Sequence, residues 1–178
     1  MKNKKADIWI SAALYFGLGI IVITIILSAG LPLINRLKDK NTVIETKDVM
    51  FKLDTAIREV IRSGPGEQRS LSLEIKKGDL SINNNENTLT WSYKTSALLS
   101  EPGLTISEGN LNIITENTGV KDEYLVTLSL NYEGLADLKK ASTPNPTEDL
   151  IKVSGQNRII IKNIGTIDSK IAVTFNKL

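Results

Sequence analysis

Hydrophobic positions divide the chain into three regimes. From Ile8 to Ile34 no residue carries a charge, and Ile, Leu, Val and aromatic side chains succeed one another without polar alternation. As a helix this run would be roughly 40 Å long, enough to cross a hydrocarbon layer of about 30 Å. Beyond Pro32 the pattern turns amphipathic: Leu33, Leu37, Ile44, Met50, Leu53, Ile57 and Val60 recur at helical steps, with Lys, Asp, Glu and Arg between them. Met50, Leu53, Ile57 and Val60 form the cleanest stripe and are expected to pack the helix against a C-terminal head. Ser63-Gly64-Pro65-Gly66 supplies a stop, since glycine just past a last turn and a proline beyond it both end helices.

From Ser70 onward the period shortens to two. Leu71, Leu73 and Ile75 alternate with polar residues, Lys77-Gly78-Asp79 predicts a turn into Leu80 and Ile82, and Leu89, Trp91 and Tyr93 continue the alternation. Leu104–Ile106 and Leu111–Ile113 flank Glu108-Gly109-Asn110, a hairpin pattern. Tyr124 to Tyr132 reads as the longest alternating strand, with Ile159–Ile161, Ile164 and Ile171–Phe175 after it. Leu135 to Ala141 predicts a short helix, leading to an extended loop from Ser142 to Thr147. Seven or eight short strands at this spacing predict an antiparallel sandwich or partly open barrel. The expected class is α+β: a long N-terminal helix, hydrophobic over 8–34 and amphipathic over 35–63, then a β-sandwich-like head over 67–178.

Within the apolar run, Ala13 and Gly17 are a small-xxx-small pair, and Ser11, Ala12, Gly19, Thr24 and Ser28 add further low points that would let helices approach closely. Trp9 and Tyr15 suit an interfacial position. Gly30 and Pro32 predict a kink: proline removes one backbone hydrogen bond and glycine eases the distortion. The alternative is that the helix ends there, at the membrane interface.

Composition narrows the chemistry. The 178 residues contain no cysteine and no histidine. That leaves no disulfide, no thiolate metal site and no His-based catalytic arrangement. Gly17 and Gly19 lie inside the apolar run and do not form a phosphate-cradling loop. With 22 basic against 20 acidic residues, no segment is basic enough for nucleic acid. No catalytic, cofactor or metal site is expected. The polar run Asn83–Asn87 reads as a solvated turn rather than a calcium loop, which would need more than the single carboxylate of Glu86. The pairs Asp122/Glu123 and Glu148/Asp149 would point to opposite strand faces. Trp91 and Tyr93 share a face and read as core packing, with a sugar-binding platform as the alternative. No Asn-x-Ser/Thr acceptor occurs outside Asn145-Pro146-Thr147, where proline blocks it.

Three readings fit the N-terminus: a cleaved secretory signal, a plain signal anchor, and a signal cut on the near side of a retained helix. The apolar run is too long for the first. The basic flank Lys2, Lys4 and Lys5 is readily kept inside, which places the head outside. Lys4-Lys5-Ala6-Asp7, immediately before the apolar helix, resembles the class III signal of type IV pilins, especially archaeal ones. The resemblance implies cleavage after Ala6 by a prepilin peptidase, a leader of residues 1–6 and a mature chain from Asp7. It further implies a homo-oligomeric helical filament with the apolar helices in its core. The chain would sit in the cytoplasmic membrane before pilus assembly machinery extracts it, and at the cell surface afterwards, serving adhesion or motility. Asp7 stands where archaeal pilins often carry glutamine. Ser11 stands where bacterial pilins carry glutamate, which favours the archaeal branch. The alternatives are a signal-anchored surface binding protein and a minor pilin of a secretion or uptake system.

Overall fold

The computed structural model describes residues 4–140 and 150–177, with side chains over 9–139 and 153–177. The loop expected over Ser142 to Thr147 and the pair Glu148/Asp149 lie outside the described residues, as do the side chains of Lys4, Lys5, Ala6 and Asp7. The chain forms two compact units, Met1–Lys38 and Asp39–Leu178. A single helix, α1 (Lys4–Ser63), runs through both and precedes eight strands. The α+β class expected from the sequence is the class observed.

The helical assignment continues unbroken through Gly30 and Pro32, so the helix does not end at the boundary of its apolar run. It stops where the glycines predict. Gly64 adopts φ +94°, a left-handed conformation that costs other residues strain. The final turn is also tied down from a distance. Asn163, almost fully buried, donates from Nδ2 to the Val60 carbonyl at 3.1 Å and satisfies one of the acceptors a helix end leaves open.

The strands are β1 (Gln68–Asn83), β2 (Thr88–Thr95), β3 (Thr105–Glu108), β4 (Leu111–Asn117), β5 (Tyr124–Asn131), β6 (Asp137–Lys140), β7 (Leu150–Ile167) and β8 (Lys170–Lys177). They form one open, mostly antiparallel sheet in the order β3-β4-β5-β2-β1-β7-β8-β6. The expected β3/β4 hairpin is present around Gly109. Two long strands hold the sheet together. The second part of β1 lies between β2 and β7, whereas its first part, Gln68 to Ile75, pairs with β7 alone.

The turn expected at Lys77-Gly78-Asp79 is instead a bulge inside one continuous strand. Between Ile75↔Gly155 and Leu80↔Val153, β1 advances five residues while β7 advances two. The excess is odd, so the buried positions switch from Leu73 and Ile75 to Leu80 and Ile82. A periodicity break that looks like a chain reversal is therefore a change of face. Gly78 (φ +74°) makes the bulge possible. A Cβ there would lie 2.5 Å from the Ser92 carbonyl oxygen and 2.7 Å from Trp91 Nε1. The longest strand is β7.

Over its described residues, 135–140, the helix expected for Leu135–Ala141 is instead a turn that leads into β6. Gly134 adopts φ +78°, and the Leu135 and Ala136 N–H groups bond back to the Tyr132 carbonyl. The next residues pair in parallel with β8, burying Leu138. A ladder partner supplied by the C-terminal strand outweighs the local helical pattern.

Met50, Leu53, Ile57 and Val60 are all fully buried in one cluster with inward residues of the sheet. Upstream, the buried stripe keeps a different phase from the one the apolar residues suggest. It runs back through Thr46, Val43 and Asp39, while Ile44 is 48% exposed. Leu33 and Leu37, also assigned to the stripe from the sequence, belong to the first unit and are exposed.

Candidate functional site: an uncovered apolar helix and the polar nodes of the head

No residue of the most apolar window of α1 is buried, although its mean hydropathy is 2.5 and it is long enough to cross a membrane. Among the small residues, Gly17, Gly19 and Gly30 have no atom within 4 Å of where a Cβ would stand. Ser11, Ala12 and Ala13 are exposed on the same helix. Thr24 Oγ1 donates to the Ile20 carbonyl at 2.8 Å, and Ser28 Oγ to the Ile25 carbonyl at 2.9 Å. These two hydroxyls are satisfied within their own helix, so an apolar environment can receive them without an orphaned donor. The surface is thus chemically ready to be covered by lipid or by other helices.

The head unit begins at Asp39, and the residue is held from several sides. Its Oδ1 accepts from Lys77 Nζ at 3.0 Å and Tyr93 Oη at 2.8 Å. Its Oδ2 accepts from Thr95 Oγ1, the Ser96 N–H and Ser96 Oγ at 3.2–3.3 Å. The β1 bulge delivers Lys77, and the end of β2 delivers the rest. Burial by itself pushes the Asp39 carboxyl up. Hydrogen bonds from Lys77, Tyr93 and Ser96, with the Lys77 charge, outweigh it and hold the group below the ordinary carboxylate value. Tyr93 and Asp39 in turn raise the Lys77 ammonium, so the pair is ionised at neutral pH. Such a carboxylate is a structural latch, because every bond it makes favours a charge that stays put.

A second node lies further along α1. Asp54 accepts from Arg58 Nε at 2.9 Å, Asn110 Nδ2 at 3.1 Å and Tyr132 Oη at 2.7 Å. Tyr132 is fully buried, and desolvation together with Asp54 pushes its phenol far above the usual value. The helix, the β3–β4 turn and the end of β5 converge here. Lys47 reaches Glu108 on the same side at 2.6 Å.

The other polar candidates serve the fold. Asn83 Oδ1 accepts the Asn85 and Glu86 N–H groups, forming the turn. Asn87 (φ +52°) uses Oδ1 to accept the buried Leu138 N–H at 2.8 Å. Trp91 is fully buried, with Nε1 donating to the Lys77 carbonyl at 2.9 Å, so the alternative of a sugar platform has no open face there. Among the described residues no group of three or more His, Cys, Asp or Glu is placed to hold a metal ion.

Sequence reading missed Asp39, Thr95, Ser96 and Asn163. One signal was available. Counting from Met50 toward the N-terminus by four, three and four lands on Thr46, Val43 and Asp39, and a carboxylate at a core-facing position needs partners. Nothing local marks the residues that supply them. No protein-family model, curated protein or solved structure matches the chain.

Proposed function

We propose that this chain is a structural subunit of a type IV pilus-like filament, of the archaeal kind, whose apolar helix is retained and buried among copies of itself. The observation that carries this reading is the entirely uncovered apolar stretch of α1, which continues as the same helix into the core of a folded head. Covering that surface is strongly favourable, at roughly 25 cal/mol per Å² of apolar area removed from water. Small residues along it suit helix-to-helix contact. Lys4-Lys5-Ala6-Asp7 stands where a prepilin peptidase would cut, and the head would sheath the filament outside the cell. Assembly energy would come from partner machinery.

Mass analysis of the N-terminus, on protein from native membranes and from sheared surface material, tests the reading. A mature start at Asp7 in sheared filaments is the expected result. An intact Met1 with all protein held in the membrane would overturn it in favour of a signal-anchored binding protein. Low copy number in filaments of another subunit would assign it as a minor pilin.

A further inference from the structure

The stagger of the strands leaves part of β1 as an open edge in the middle of the sheet. Gln68 to Ile75 pair with β7 on one side and, among the described residues, with no strand on the other. The Asn163 N–H to Glu67 carbonyl bond (2.9 Å) sets the phase of the ladder, so the N–H and C=O groups of Ser70, Ser72 and Glu74 point outward. A groove of about 530 Å³ runs beside this edge, between it and the flank of α1 carrying Phe51 and Ala56. Four consecutive strand residues, Arg69 to Ser72, line it. Side chains alternate along a strand, so a groove lined by consecutive residues runs along an edge rather than over a face.

The chain carries a second open edge of opposite character. Among the described residues β3 pairs with β4 alone, and Leu104 and Ile106, two residues apart beside that edge, are 53% and 38% exposed. Edges with uncovered apolar side chains attract further strands. The charges match as well. Residues 96–120, which hold β3 and β4, include Glu101, Glu108 and Glu116 and no Lys or Arg. The part of the sheet behind the β1 edge (68–76, 155–167 and 170–177) carries six basic residues against one glutamate; Arg69, Lys76 and Lys170 are ion-paired with Glu59, Glu45 and Asp137, which leaves Arg158, Lys162 and Lys177 as the exposed positive charges facing outward.

We propose that the β3 edge of a second copy of this chain adds to the open edge of β1, extending the sheet from one head to the next. Two different surfaces meet, so each copy offers one of each and the contact, unlike a two-fold one, can propagate from copy to copy along a filament. The inference deepens the filament reading, on which it rests, by naming a contact between heads in addition to the helix core.

Because the chain has no cysteine, cross-linking tests it cleanly. Full-length Ser72→Cys protein is mixed with Thr105→Cys or Ser107→Cys protein, assembled and oxidised, and all three positions are exposed. Cross-linked dimers in the mixtures, absent from each variant alone and reduced at high salt, are expected. A double Ser72→Cys/Thr105→Cys chain should give a ladder of multimers. A dimer of Ser72→Cys alone would mean a symmetric β1–β1 contact and overturn the proposal. In parallel, amide exchange at Ser70, Ser72 and Glu74 should slow on assembly relative to detergent monomer, and unchanged exchange would also overturn it. Filaments that form without the mixed cross-link refute this contact and leave the filament reading standing. The mixed cross-link in detergent, without filaments at the cell surface, does the reverse.

Discussion

Replacing Asp39 by alanine should loosen the point at which α1 joins the head. The carboxylate accepts five hydrogen bonds, from Lys77, Tyr93, Thr95 and two groups of Ser96. The side chain of Asp39 is 12% exposed against 44% for Lys77. Loss of the lysine pair is therefore largely screened and costs at most about 1 kcal/mol. The larger effect comes from the Thr95 hydroxyl, the Tyr93 hydroxyl and the Ser96 donors, which lose an ionised acceptor in a partly dry site. Allowing for water entering the space left, the whole cluster is worth about 3 kcal/mol. For a unit of this size that corresponds to roughly 10 °C in Tm. Thermal unfolding of the full-length protein in detergent, monitored by near-ultraviolet dichroism, reads it directly. The pH dependence has a definite sign. A carboxyl held below its ordinary value stabilises the fold above that value and loses the contribution as pH falls through the lowered one. The gap between wild type and Asp39→Asn should therefore be full at neutral pH and shrink once pH drops below about 3.9. A variant within about 0.5 kcal/mol of wild type at pH 7, a difference typical of surface substitutions, would refute the latch.

Gly78→Ala should cost roughly 3 kcal/mol, from left-handed strain plus a clash with the Ser92 carbonyl and the Trp91 ring; Gly109→Ala, at φ +61° in open space, should cost only about 1 kcal/mol in the same denaturant titration. Asn163→Ala removes both the cap on the Val60 carbonyl and the acceptor of the Gly165 N–H, and should lower stability by about 2 kcal/mol with early fraying of the last turn of α1, read by amide exchange. Tyr132 should stay protonated well above the ordinary phenol value. Its raised phenol leaves the fold's stability in full below about pH 10 and withdraws it progressively as pH rises beyond that toward the raised value, so ionisation of Tyr132 in a spectrophotometric titration should coincide with unfolding. Gly17→Leu, with no neighbour within 4 Å, should leave head stability unchanged and reduce filament yield; unchanged yield would remove Gly17 from the helix core.

Much of the architecture was legible because it depends on properties that each residue carries alone. Hydropathy summed over Ile8–Ile34 marks an uncovered helix whatever else the chain does, and Gly64 ends α1 through its own φ. The Met50, Leu53, Ile57 and Val60 stripe and the alternation of β2, β4 and β8 are likewise local repeats. What eluded sequence reading depends on partners far along the chain. Whether Lys77-Gly78-Asp79 reverses the chain or shifts its register is decided by β7, some eighty residues away, because only a ladder partner makes a bulge preferable to a turn. β6 is a strand because β8 arrives beside it, and Asp39 is buried because Tyr93 and Ser96 are there to bond it. Desolvating a carboxylate is unfavourable on its own and becomes favourable only when its donors are in place together, so its burial is a property of the assembled fold and not of the residue.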